Sequence, residues 1–134
     1  AVPVGAPDAK VTLATSAGGR VTIRTVSPVL YENSVLIFTS PTSVKYSQLR
    51  ENPNCAFKVS TFYAEAKAEF LGPTMLDKNS EFRKAYEAKF SGAFAEGIEY
   101  GGREAEFILL KPLRISGWLF ENNQPIKEFT YDTD

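Results

Sequence analysis

The chain has 134 residues, with 15 basic and 16 acidic side chains, no histidine and one cysteine, Cys55. A chain of this length is expected to form one domain and to fold without a disulfide or structural metal. The lack of histidine excludes serine–histidine catalytic sites and histidine-ligated zinc or haem, and a lone cysteine excludes an internal disulfide. A net charge of −1 gives no general attraction to nucleic acid or to anionic lipid. No metal site is predicted.

The first part of the chain predicts a β-hairpin followed by a buried strand. Two β-rich segments, at about 10–17 and 20–27, flank Gly18 and Gly19, which allow the positive φ values of a two-residue turn. A turn at residues 32–33 then leads into residues 34–39. Their continuous apolar run, Val-Leu-Ile-Phe, is typical of a strand that is buried on both faces.

The rest of the chain predicts two helices and further strands. The first helix is expected to have Ser40 as its N-cap and Pro41 in its first turn, and to end at Asn52 and Pro53. The other predicted elements, in chain order, are strands at about 54–61 and 64–71 with a turn at residues 62–63, a helix at about 80–90, strands near 103–110 and 113–120, and an extended segment at 125–131. Because the strands form hairpins, an antiparallel barrel or sandwich is favoured over a parallel sheet.

A candidate anion-binding site lies at the start of the first helix. The unpaired N–H groups of a helix N-terminus attract anions, and Ser43 and Lys45 add a hydroxyl and a full positive charge. Arg24 lies in the middle of a strand, where an arginine is costly unless it is paired or at an edge. Arg24, Lys45 and the helix N-terminus would together bind a dianion. From the residues alone, a capped helix with a solvated lysine and a solvent-facing arginine remain alternatives.

The order of these motifs resembles the pyridoxamine 5′-phosphate oxidase-like family of FMN-binding split barrels. The matching segments are Leu13-Ala14-Thr15, Arg24-Thr25-Val26, Phe38-Thr39-Ser40, Ser43-Val44-Lys45, Gln48-Leu49-Arg50-Glu51-Asn52-Pro53-Asn54, and Lys111-Pro112 through Trp118. The resemblance covers roughly residues 11–120. It implies a mainly β fold, an antiparallel split β-barrel of about six or seven strands with two to three helices. A single domain is expected over 1–134, with an extended lead-in at 1–9 and a C-terminal extension at 121–134.

The resemblance also implies that the cofactor is FMN, held at the interface of a homodimer. Arg24 and Lys45 would hold the FMN phosphate, and Ser43 would hydrogen-bond to it. Val44 stands between Ser43 and Lys45, where the oxidase proper has an arginine. One phosphate contact of the oxidase is therefore missing from this segment.

The remaining site residues implied by the resemblance surround the rest of the cofactor. Thr25 and Val26 would line the edge of the isoalloxazine ring through their backbone. Thr39 and Ser40 would meet the ribityl chain or the phosphate. Trp118 would lie near the flavin of the partner subunit.

The function implied by the resemblance is that of an FMN-dependent oxidoreductase. It would pass electrons from NADH or NADPH to a small acceptor, and no catalytic side chain is identified. The composition, in turn, predicts a cytoplasmic protein from its lone cysteine, and no nucleic-acid or membrane partner from its net charge and short apolar runs. Vitamin B6 oxidation is not expected, because the chain has no histidine and residues 126–134 contain no arginine. The alternatives are a non-catalytic flavin-binding or storage protein, a haem-binding, nitro-compound-reducing or deazaflavin-binding relative, and a small barrel that binds another anion.

Overall fold

The structure, a computed structural model, describes residues 10–94, 99–100 and 103–133. These residues form ten β-strands, two α-helices and one turn of 3-10 helix at Asp77–Asn79. The strands are β1 (Val11–Ala17), β2 (Arg20–Val26), β3 (Val29–Tyr31), β4 (Ser34–Thr39), β5 (Asn54–Val59), β6 (Phe62–Pro73), β7 (Glu99–Tyr100), β8 (Arg103–Glu104), β9 (Glu106–Glu121) and β10 (Gln124–Asp132), and the helices are α1 (Val44–Glu51) and α2 (Ser80–Lys89). The predicted antiparallel, mainly β fold is confirmed. The predicted lead-in at 1–9 lies outside the described residues.

Eight strands form one antiparallel sheet in the order β2-β1-β5-β6-β9-β4-β3, with β10 paired to the second half of β9. The remaining two, β7 and β8, pair with each other. Helix α1 leaves the end of β4 and packs against β1, next to the edge strand β2. This connection brings α1 beside β2, where Gln48 contacts Thr22 and Arg20. Neither helix among the described residues is long and apolar enough to cross a membrane.

Apolar side chains cover both faces of β4. On one face, Val35 and Ile37 join an interior cluster that also contains Leu49 of α1. On the other face, Leu36 joins a second cluster under α2 with Tyr86 and other aromatic side chains. The strand predicted to be buried on both faces is therefore confirmed, and its bounds match the prediction.

The first helix begins later than the sequence predicted. Ser43 is its N-cap and Val44 its first residue, whereas Ser40 and Pro41 were predicted to occupy these positions. The Ser40 hydroxyl instead accepts a hydrogen bond from the backbone N–H of Thr42, at 3.0 Å, within a turn that precedes the helix. Serine favours such turns as strongly as it favours helix caps, so the local sequence did not distinguish them.

Two predicted strand boundaries were also wrong. The turn between β5 and β6 lies at Ser60 and Thr61, not at residues 62–63, and Ser60 takes the positive φ of 53°. The segments near 103–110 and 113–120 belong largely to one long strand, β9, which runs through Pro112. A register shift in the β6–β9 pairing accommodates Pro112, which has no N–H to donate.

Candidate functional site

Arg24 lies on the edge strand β2, directly opposite Leu13 of β1. Its Nη1 donates hydrogen bonds to the Leu13 carbonyl oxygen at 3.2 Å and to the Thr15 hydroxyl at 2.7 Å. Its Nη2 donates to the hydroxyl of Thr22. Within the part of the chain that the structure describes, neutral oxygens hold the guanidinium and no carboxylate forms an ion pair with it. Its positive charge is therefore not compensated there.

Gln48 of α1 connects the helix to both strands of the hairpin. Its amide oxygen, Oε1, accepts hydrogen bonds from the hydroxyls of Thr15, at 2.5 Å, and Thr22, at 2.6 Å. The same two hydroxyls accept the hydrogen bonds from Arg24. Sequence reasoning missed the role of Gln48, although a glutamine beside the buried Leu49 is a signal that α1 carries a polar group into the protein.

Lys45, in the first turn of α1, is the second cation of this corner. Burial and, secondly, the positive charge of Arg24 lower the pKa of Lys45 below its ordinary value. The Arg24 guanidinium therefore adds to the effect of burial on the Lys45 ammonium, and burial is the larger of the two causes. No hydrogen bond or ion pair to the Lys45 ammonium occurs among the residues described. We call this arrangement of Arg24 and Lys45 the cation pair.

The start of α1 adds hydrogen-bond donors beside the cation pair. The Ser43 hydroxyl accepts the N–H of Tyr46 at 3.2 Å and lies 3.1 Å from the hydroxyl of Thr39. The backbone N–H groups of Val44 and Lys45 have no partner within the described ranges, as expected in the first turn of a helix. Val44 thus offers a backbone donor although its side chain is apolar. The arrangement suits a small anion with several acceptor oxygens.

The other predicted site residues lie in two places. Thr39 is buried at the end of β4 beside Ser43, and Ser40 follows it. Val26 packs against the interior cluster, whereas Thr25 is exposed at the end of β2. Trp118 lies elsewhere, on the β9–β10 ribbon, where its carbonyl oxygen is 3.4 Å from the hydroxyl of Thr61 in the β5–β6 turn. The fold thus brings Thr39 next to Ser43, whereas Trp118 lies beside the β5–β6 turn.

Replacing Lys45 with methionine is expected to stabilise the protein in anion-free buffer at pH 7. The lowered pKa means that the folded state binds the Lys45 proton less tightly than the unfolded state. The charged lysine therefore destabilises the fold at low and neutral pH, and stability recovers as pH rises through the lowered pKa. Because solvent screens this partly exposed side chain, the gain should be small, about 0.5–1 kcal/mol by urea denaturation. The exposed Lys67 of β6, changed to methionine, is the control, and a destabilised Lys45→Met protein would contradict the prediction.

No protein-family model and no curated protein matches this chain by sequence. Solved structures do match its fold. An FAD-binding protein from Mesorhizobium loti has a TM-score of 0.67 and 15% identity, with 85% of this chain and 87% of that chain covered. A heme-binding protein from Mycobacterium smegmatis has a TM-score of 0.70 and 16% identity, with 92% of this chain covered, although this chain spans only 52% of that protein.

A third similar structure carries the name of the family that the sequence resembles. A pyridoxamine 5′-phosphate oxidase-related, FMN-binding protein from Nostoc punctiforme has a TM-score of 0.60 and 15% identity, with 93% of this chain and 86% of that chain covered. At such identities the likeness concerns the fold. The chain therefore has the split-barrel fold of the pyridoxamine 5′-phosphate oxidase-like proteins, as the sequence motifs predicted.

Proposed function

We propose that this protein binds FMN through its phosphate at the cation pair and acts as an FMN-dependent oxidoreductase. One observation carries the proposal: Arg24, which is hydrogen-bonded to the threonines that α1 holds through Gln48, and Lys45, in the first turn of α1, both lack a carboxylate partner in the described residues. Two neighbouring cations cost free energy unless an anion joins them. A phosphate monoester supplies that charge and accepts hydrogen bonds from both side chains, from the Ser43 hydroxyl and from the helix N-terminus.

The composition of the chain agrees with a role for a bound flavin. When bound, FMN supplies hydride-transfer chemistry that requires no nucleophile or metal from the protein. This chain, which has no histidine and a single cysteine, would bind and orient the flavin and shield it from water. The electron donor that we propose is NADH or NADPH, and the acceptor is a small molecule.

Haem is the alternative that the fold comparison raises, since one similar structure is that of a heme-binding protein. A chain without histidine would have to ligate haem iron through tyrosine or cysteine. Burial raises the pKa of the Cys55 thiol to about 11. The thiolate, which is the form that binds metals, is therefore disfavoured at neutral pH, and this argues against ligation of haem iron by Cys55.

Titration of the purified protein with FMN and with riboflavin tests the proposal. Riboflavin is the matched control because it has the same ring system and no phosphate. We expect FMN to bind at micromolar concentration and riboflavin to bind far more weakly. Failure to bind FMN would overturn the flavin assignment. Anaerobic mixing of the FMN complex with NADH or NADPH should then bleach the flavin absorbance, and an unbleached complex would support the storage alternative instead.

We also propose that the protein is a homodimer in which the β9–β10 ribbon is covered by a second copy. Trp118, Leu119 and Phe120 of this ribbon are 40%, 44% and 50% exposed. Because successive side chains of a strand point to opposite faces, Trp118 and Phe120 share one face of the ribbon and Leu119 lies on the other. Exposed large apolar side chains grouped in this way are typical of an interaction surface. In such a dimer, Trp118 would lie against the partner subunit, as the predicted contact between Trp118 and the flavin of that subunit requires.

Replacing Phe120 with glutamate is expected to convert the dimer to a monomer at micromolar protein concentration. The substitution places a charge at a surface that must lose its water on association. Sedimentation velocity measures the change, and Lys67→Glu on β6 is the control, expected to remain dimeric. A wild-type protein that is monomeric with FMN bound would contradict the proposal.

A further inference from the structure

The N–H groups of Arg24 fall into a used set and an unused set. A guanidinium has five N–H donors in a fixed plane. The two on Nη1 point to the Leu13 carbonyl and the Thr15 hydroxyl, and one on Nη2 points to the Thr22 hydroxyl. Among the described residues, the Nε–H and the second N–H of Nη2 have no acceptor. The Thr15 and Thr22 hydroxyls lie 3.3 Å apart, so Nη1 and Nη2 reach them with the adjacent N–H groups at the end of the guanidinium. The Nε–H and the remaining N–H of Nη2 are then the neighbouring pair on the side edge, the fork that binds two oxygens of a phosphate or carboxylate.

Gln48 determines which way the two threonine hydroxyls point. An amide oxygen only accepts hydrogen bonds, so both hydroxyl protons are directed at Gln48 Oε1. The oxygen lone pairs of Thr15 and Thr22 are then left to accept from Arg24. The amide nitrogen of Gln48 in turn donates to the backbone carbonyl of Arg20 at 3.4 Å. A continuous series of hydrogen bonds therefore runs from Gln48 of α1 through the two threonine hydroxyls to the Arg24 guanidinium, and each one fixes the orientation of the group that makes the next.

We propose that Gln48 is a positioning residue for anion binding: through Thr15 and Thr22 it orients Arg24 so that the Nε–Nη2 fork faces a phosphate monoester held with Lys45. The inference rests on the proposed function and adds to it, because Gln48 itself does not contact the anion. An arginine ordered in advance loses less side-chain entropy when the anion binds. Loss of the network should therefore weaken phosphate recognition even though both cations remain.

The first test is a double-mutant cycle on FMN affinity. Gln48→Leu is expected to weaken FMN binding on the order of tenfold, because the long Arg24 side chain would then have to be ordered when FMN binds. It should leave riboflavin binding unchanged, and it should have no further effect in an Arg24→Ala background. Thr22→Val, which removes one hydroxyl and keeps the side-chain shape, is the second variant in case Gln48→Leu does not fold. Equal losses for FMN and riboflavin, or equal losses in both backgrounds, would overturn the inference.

Asn52→Ala is the matched control for a purely structural effect. The Asn52 side chain also ties α1 to β1, through a 3.2 Å hydrogen bond to the Ser16 hydroxyl, and it does not contact Arg24. We expect this variant to lower stability without changing the preference for FMN over riboflavin. If Asn52→Ala loses the preference for FMN over riboflavin as strongly as Gln48→Leu does, the loss is caused by a shift of the helix. That result would overturn the inference.

A second probe, inorganic phosphate, separates this inference from the FMN assignment. The nitrogen resonance of Arg24 Nε, observed by NMR in arginine-labelled protein, should shift when phosphate is added to wild type and shift much less in Gln48→Leu. If wild type fails to bind FMN but shows these shifts, the proposed function is wrong in its ligand and the positioning role of Gln48 is supported. If phosphate leaves the wild-type resonance unmoved, or moves it equally in the variant, the inference is overturned.

Discussion

Replacing both Arg24 and Lys45 with alanine is expected to weaken FMN binding by a factor of roughly 10²–10⁴. Each charged hydrogen bond to a phosphate contributes about 1.5–3 kcal/mol, and tenfold in affinity corresponds to about 1.4 kcal/mol. The cation pair supplies both full positive charges of the proposed site, so the two losses fall on the same phosphate. The quenching of flavin fluorescence on binding measures the effect.

The controls separate phosphate recognition from a change in overall charge. Lys58→Ala with Lys67→Ala removes the same number of charges from exposed positions on β5 and β6, and should leave the affinity within about twofold, because surface charges are screened. Riboflavin binding should be nearly the same in all three proteins. An Arg24→Ala, Lys45→Ala protein that retains wild-type FMN affinity would show that the phosphate is bound elsewhere.

Replacing Leu49 with alanine is expected to lower the free energy of unfolding by about 2–5 kcal/mol. Leu49 is 0% exposed and belongs to the interior cluster, where it joins α1 to the inner face of the sheet. The substitution leaves a cavity at this contact. Because α1 also carries Ser43 and Lys45, looser packing of the helix should weaken FMN binding in parallel.

Urea denaturation measures this effect, and Leu49→Met is the control. Methionine conserves most of the volume, so its cost should stay below about 1.5 kcal/mol. A Leu49→Ala change of less than about 0.5 kcal/mol would indicate that the helix does not depend on this contact, since surface substitutions produce changes of that size.

Several features of the fold followed from the local sequence because local physics determines them. Gly18 and Gly19 adopt φ values of 57° and 80°, which their lack of a side chain allows, and the β1–β2 hairpin forms as predicted. The apolar run of β4 has the predicted bounds because it is buried on both faces. Arg24 and Lys45 were predicted to bind an anion together, which stays a prediction; the positive charge of Arg24 is the smaller cause, after burial, of the lowered pKa of Lys45.

Other features depended on contacts between distant residues. The sequence did not reveal that β9 continues through Pro112, since the register shift that accommodates the proline involves the partner strand β6. It did not reveal that the helix starts at Val44 after a separate turn at Ser40. It also assigned no role to Gln48, whose partners lie 26 and 33 positions earlier in the chain.

Composition alone determined which chemistry this protein does not use: a chain with no histidine and one cysteine has no histidine-based catalysis and no internal disulfide. The sequence also predicted that Arg24 and Lys45 belong to an anion-binding site. Only the tertiary structure decided that the Arg24 guanidinium is held by a carbonyl oxygen and two hydroxyls rather than by a carboxylate, and that one fork of it remains unused among the described residues. The physical reason is that the hydrogen bonds that hold Arg24, directly or through Gln48, join residues of β1, β2 and α1. These elements are separate in the sequence and come together only in the folded protein.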